Sequence, residues 1–137
     1  MKDSGEIKYN YYFWGPLLWK TKIFDKDLKQ LKRLCKRNNK LDYRKNLAGV
    51  IDNEYKIDAE KFTKIINKYI YGYFHAYKLW YNKPAPGQLK VDSVWVNYMK
   101  KGESNPMHIH IPCDLSSVLY LDVPKKLLKE QEQFVGK

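Results

Sequence analysis

The chain contains three histidines, and two of them, His108 and His110, stand one residue apart. Met107 to Ile111 alternates apolar side chains with imidazoles, so the spacing predicts a strand there. Residues i and i+2 of a strand project to the same face. Two imidazoles side by side form half of a metal site. A third ligand from a facing strand would complete a facial triad and leave coordination positions open, which is what non-haem Fe(II) needs to take up a cosubstrate and oxygen. Cys113 offers a rival set: His108, His110 and Cys113 as three ligands of a zinc site that still lacks a fourth. The HxH pattern alone also fits a half-exposed strand whose histidines meet only water. His75 falls between Phe74 and Ala76 in a helical pattern and reads as a structural or half-exposed side chain. Ser116-Ser117 has no glycine-flanked nucleophile elbow around it, and no glycine-rich phosphate loop occurs.

The elements that must position the histidine pair fall into two parts of one domain, residues 1–87 and 88–137. Residues 1–10 are a polar start. Tyr11 to Ile23 is aromatic and apolar, broken by Gly15-Pro16, and predicts two short strands around a turn. Asp25 to Arg37 is helical, with Asp25 as cap and Leu28, Leu31, Leu34 and Cys35 at three- and four-residue spacing. Asn38-Asn39 ends it, and residues 40–57 read as polar and irregular. Ala59 to Tyr81 is the strongest helix: Phe62, Ile65, Ile66, Tyr69, Ile70, Tyr73, Tyr77 and Trp80 make one apolar stripe behind a cap at Asp58. Residues 84–87 (PAPG) mark a turn. Leu89 to Met99 then alternates and is rich in β-branched residues, and Ser116 to Val123 does the same before Pro124, so both predict strands. Lys125 to Lys137 is charged and reads as a short helix or a frayed tail. Two helices followed by several strands make an α+β arrangement with helices packed outside a sheet.

One ordered string runs through the second part: Trp95-Val96-Asn97-Tyr98, Gly102, Asn105-Pro106, His108-Ile109-His110, then Leu115-Ser116-Ser117-Val118-Leu119-Tyr120-Leu121 and Pro124. It resembles the Fe(II)/2-oxoglutarate oxygenase superfamily, and within it the bacterial and phage branch that is similar to prolyl hydroxylases. Trp14-Gly15-Pro16-Leu17 ahead of two helices is similar to how that branch begins. The resemblance implies N-terminal helices packed on a partial double-stranded β-helix, or jelly roll. It implies a hydroxylase-type dioxygenase using Fe(II) and 2-oxoglutarate, with ascorbate as reductant. His108 matches the first iron ligand. His110 stands where the wider superfamily has Asp or Glu and where this branch has His. Tyr98 and Tyr120 match tyrosines that line the 2-oxoglutarate pocket, although both also suit the filling of a barrel. Asn105-Pro106 would shape the turn that delivers His108, and Trp95 reads as core.

The chain departs from the family downstream. The superfamily takes a distal His as third ligand and a later Arg or Lys to pair with the far carboxylate of 2-oxoglutarate. After Tyr120 there is neither His nor Arg, and Lys125, Lys126 and Lys129 follow too early. The expectation is therefore a roll that stops before completion, a fragment that exposes sheet edges and apolar faces. Such a chain would need self-association or a second polypeptide to complete it. Its substrate is not legible, since substrate choice in this superfamily lies in loops and later strands.

Composition bounds the alternatives. The 137 residues suit one domain, 44% hydrophobic and 30% charged, which excludes a disordered chain. The formal net charge is +11, which admits an acidic partner such as single-stranded nucleic acid, with 12 Tyr and 4 Trp available for stacking. Only three of the 26 basic residues are Arg, however, and phosphate and base recognition favour Arg. The Lys excess therefore fits codon bias better than a nucleic-acid surface. A structural or assembly module that keeps the fold without the catalysis is the remaining alternative. Two distant cysteines, no secretory h-region and no long apolar run predict a soluble cytoplasmic protein with reduced thiols, in the host cytoplasm if phage-encoded, and no membrane partner.

Overall fold

The structure is a computed structural model that describes residues 7–12, 15–36 and 41–134. Residues 1–6 of the polar start, Trp14, the Asn38-Asn39 helix stop and the last residues of the tail lie outside the described residues, while Tyr9 and Asn10, expected in the polar start, belong to the first strand. Strands β1 (Tyr9–Tyr12) and β2 (Leu18–Thr21) form an antiparallel hairpin. Helix α1 is Asp25–Leu34, β3 is Glu54–Lys56, and α2 is Ala59–Tyr81. Strand β4, Trp95–Asn97, pairs antiparallel with β3, and helix α3 is Lys125–Phe134. A short 3₁₀ turn at Arg44–Asn46 precedes β3. Among the described residues the result is α+β, three α-helices with two separate two-stranded sheets.

α2 is the mast of the molecule. Its N-cap is Asp58, whose carboxylate accepts from the Lys61 amide at 3.0 Å, satisfying one of the free donors of the first turn. Asn82 closes it in a left-handed conformation. Tyr69 and Ala76 are buried on its inner side, and the rest of the apolar stripe is half-buried. α1 docks through Leu31, which is completely buried, and through a polar clasp. There Asp27 accepts from the Tyr69 hydroxyl at 2.5 Å and pairs with the Lys68 ammonium at 2.5 Å. The Tyr69 oxygen also accepts from the Phe24 amide, which caps the approach to α1. Phe24, not Asp25, is thus the N-cap residue of α1, and no side chain caps it. The hairpin lies along α2 because Gly72 leaves room for Trp19: a Cβ there would meet the indole at 3.1 Å. Trp19 packs edge-on against Tyr73.

The second sheet hangs from this frame. Ile57 donates to the Val94 carbonyl at 2.8 Å, Tyr98 to the Asn53 carbonyl and Lys56 to the Leu41 carbonyl. Cys35, Ile57 and Val94 form a small core beneath it, with Val91, Val96 and Leu121 against them. Residues 40–57, expected to be irregular, thus contain β3. A three-residue strand is too short to show alternation, and only the pairing with distant β4 defines it.

The second part departs most from expectation. The strand over 89–99 shrinks to Trp95–Asn97, and 107–111 and 116–123 are not strands. No described segment pairs with them, and a strand is stabilised by its cross-strand partner. The architecture described is therefore two small antiparallel sheets with helices.

Candidate metal centre

Side chains alternate along β3 and β4, and cross-strand partners share a face. Lys56 opposes Trp95 and Glu54 opposes Asn97, so these four stand on one face of the ribbon. Tyr55, Val96 and Tyr98 belong to the other. On the first face the Trp95 ring lies between Tyr43, 6.2 Å away, and His110, 5.9 Å away, both tilted by 35°. The indole thus seats one of the two histidines that the sequence singles out.

The turn before the pair does the rest. The Glu103 amide closes a turn on the Lys100 carbonyl at 3.2 Å, and the Ser104 carbonyl accepts from the Val50 amide at 2.9 Å. His108 Nδ1 then lies 2.7 Å from the Pro106 carbonyl oxygen. A carbonyl only accepts, so in the neutral ring this nitrogen carries the proton and Nε2 carries the lone pair. Outer hydrogen bonds of this kind fix the tautomer of metal-ligating histidines. The Nε2 atoms of His108 and His110 stand 3.2 Å apart, with ring centroids 4.7 Å apart and planes at 74°. Two nitrogens each about 2.1 Å from one ion, at an octahedral or tetrahedral angle, are separated by about 3.0–3.4 Å. The donor pair therefore fits two adjacent positions on one divalent metal. It is brought together by a loop and not by a strand face, and both residues are exposed.

Among the described residues no third ligand joins the pair. Cys113 helps to line a shallow open depression with His110, Ile111, Pro112 and Asp114, but its thiol is turned to the His110 carbonyl at 3.6 Å. Among the described residues no group of three His, Cys, Asp or Glu side chains stands where it could share an ion. The two histidines singled out by the sequence stand together, and among the described residues the rival His108–His110–Cys113 zinc set is not assembled. His75 is exposed on α2.

Neither tyrosine has a ring contact or hydrogen bond with the histidines among those described. Tyr98 leaves β4 on the face opposite Trp95, donates its hydroxyl to the Cys35 carbonyl behind α1, and packs edge-on against Tyr55. It ties the second sheet to the first part of the molecule. Tyr120 lies in an unpaired segment with 76% of its surface exposed. Sequence reasoning reads Trp95 as core and so misses its use as the seat of His110. The signal is available in the alternation, which places Trp95 and Tyr98 on opposite faces and so separates the ring next to the imidazoles from the ring behind them.

No family model, no curated protein and no solved structure matches the chain. Among the described residues no helix is long and apolar enough to cross a membrane.

Proposed function

We propose that this chain carries the histidine metal centre of an Fe(II)/2-oxoglutarate oxygenase-type domain, a hydroxylase by reaction class, with a jelly-roll core. His108 and His110 supply two adjacent ligands to the iron. One observation carries the reading: the 3.2 Å separation of the two Nε2 atoms while His108 Nδ1 is held by the Pro106 carbonyl. The ordered string from Trp95 to Pro124 supplies the class.

When bound, iron together with 2-oxoglutarate and oxygen supplies the oxidising chemistry for hydroxylation of a C–H bond. This chain's own residues orient. Pro106 fixes the tautomer of His108, Trp95 seats the ring of His110, and the two imidazoles leave the remaining coordination positions open. The residues present do not fit 2-oxoglutarate in the same way, because Tyr98 is engaged with Cys35 on the far face and Tyr120 stands in the exposed segment. No step through the cosubstrate follows from them.

Cobalt(II), a spectroscopic stand-in for Fe(II), tests the reading. One equivalent binds weakly, and His108→Ala or His110→Ala lowers the affinity by about 10–100-fold, the scale seen even for outer-shell partners of a bound metal. Melting temperature without metal stays unchanged. Succinate release with iron, 2-oxoglutarate and ascorbate is low or absent. Cobalt binding that ignores both substitutions removes the metal assignment. Robust turnover by the chain as it stands overturns the two-ligand description.

A further inference from the structure

A second cluster of oxygen atoms lies on the same face of the β3–β4 ribbon, and it is built from different residues. Glu54 is only 1% exposed, and neither of its carboxylate oxygens has a hydrogen-bond partner. Its cross-strand partner Asn97 carries a buried side-chain oxygen that is also unpartnered. Gly49 faces this group without a side chain. A Cβ on Gly49 would stand 3.0 Å from Glu54 Oε1, 3.0 Å from Asn105 Oδ1 and 3.2 Å from Ile51 Cδ1, so the two oxygens and one methyl group border a small space that glycine leaves open.

Among the described residues no side chain hydrogen-bonds to the Glu54 carboxylate. Arg44 forks onto Asp42, with contacts of 2.5–3.0 Å. Lys100 pairs with Asp52 at 2.8 Å. The neighbouring carboxylate of Glu103 is occupied by the amides of Asp52 and Lys100. Burial, with Asp42 and Glu103 as like charges, pushes the Glu54 carboxyl up, against a smaller opposing pull from Arg44. A buried carboxylate without partners is strongly disfavoured, so something must neutralise it. A proton would neutralise the carboxyl and supply one donor among the three oxygens. A cation satisfies them together.

We propose that Glu54, Asn97 and Asn105 form a site for a hard divalent cation, with Ca²⁺ as the ion of matching chemistry. A carboxylate and amide carbonyl oxygens, with water filling the remaining positions, are the donors that Ca²⁺ takes. Imidazole-seeking metals prefer His108 and His110. The two sites rest on separate observations, and the failure of one leaves the other standing.

Terbium(III) is the probe, because Tyr43, Tyr55 and Trp95 on and beside the ribbon can sensitise its emission. The wild-type chain gives Tb³⁺ luminescence that Ca²⁺ displaces, and Ca²⁺ raises its melting temperature. Glu54→Gln loses the luminescence and the Ca²⁺-dependent shift, with affinity down by about tenfold or more. Gly49→Ala keeps the carboxylate, fills the cradle and weakens binding in the same direction. It is the control if Glu54→Gln misfolds, which circular dichroism reports. His108→Ala leaves the Tb³⁺ signal intact. Luminescence that survives both substitutions places the ion on surface carboxylates and overturns the proposal. No binding to the wild-type chain, with Glu54→Gln simply more stable, also overturns it and identifies Glu54 as a neutral buried acid.

Discussion

Residues 17–98 and residues 99–130 are built by different means. In the first stretch Leu31, Cys35, Ile51, Ile57, Tyr69, Ala76 and Val94 are buried, and of the two buried carboxylates Asp27 is partnered by Tyr69 and Lys68 whereas Glu54 is not. In the second no residue is buried, and Met107, Ile109, Ile111, Val118 and Tyr120 each expose more than three-quarters of their surface. The second stretch is only slightly poorer in apolar side chains. What it lacks is a paired strand against which to set them. Apolar content makes burial favourable, but a β-forming segment also needs a neighbour for its backbone groups. An exposed row of this kind marks a surface available for association.

The sharpest way to break this contrast is to cut into each side. Leu31→Ala removes a fully buried side chain at the α1–α2 contact and destabilises the fold by about 2–5 kcal/mol in urea unfolding. A loss below about 1 kcal/mol would mean that α1 is not docked as described.

The next effect is electrostatic. Burial by itself raises the Asp27 carboxyl, but hydrogen bonds from Lys68 and Tyr69 and the charge of Lys68 outweigh it and hold it below its ordinary value of 3.8. A carboxyl lowered in the folded state contributes stability that is complete above its unfolded value. That contribution is lost as pH falls through the folded value. Asp27→Asn is therefore expected to cost about 1–3 kcal/mol at neutral pH. It should also flatten the loss of stability below about pH 4. An unchanged acid limb in the variant would assign that limb to other carboxylates.

How much of this was legible in the sequence depended on the range of the interaction. α1 and α2 were readable because helical periodicity and the Asp58 cap are local. The hairpin was readable from its Gly15-Pro16 break, with strands displaced by a few residues. β3 was not, because Glu54-Tyr55-Lys56 carries no alternation and is defined by Val96 across the sheet. The alternation at 107–111 and 116–123 was real as a pattern, yet pattern without a described partner makes no ladder. His108 and His110 were picked out by spacing, and the structure brings their rings together by another route, the Pro106 carbonyl and the Trp95 ring. Tyr98 was grouped with them by resemblance, but its position on the opposite face sends it to Cys35. Glu54 gave no sequence signal, since a lone Glu in a polar stretch reads as surface.

The smallest expected effect is the most discriminating. Ile109→Ala and Val118→Ala each remove apolar atoms from side chains more than three-quarters exposed, so each changes stability by less than about 0.5 kcal/mol. The same truncations inside the first stretch cost several times more. If either costs more than about 1 kcal/mol, that side chain is packed in solution and 99–130 is not the open stretch described here. If both are silent in the free chain but costly once cobalt(II) is added, the metal orders the segment. In that event His108 and His110 couple ion binding to the folding of the residues around them, because ligands that come together only in the ordered form make binding free energy into folding free energy.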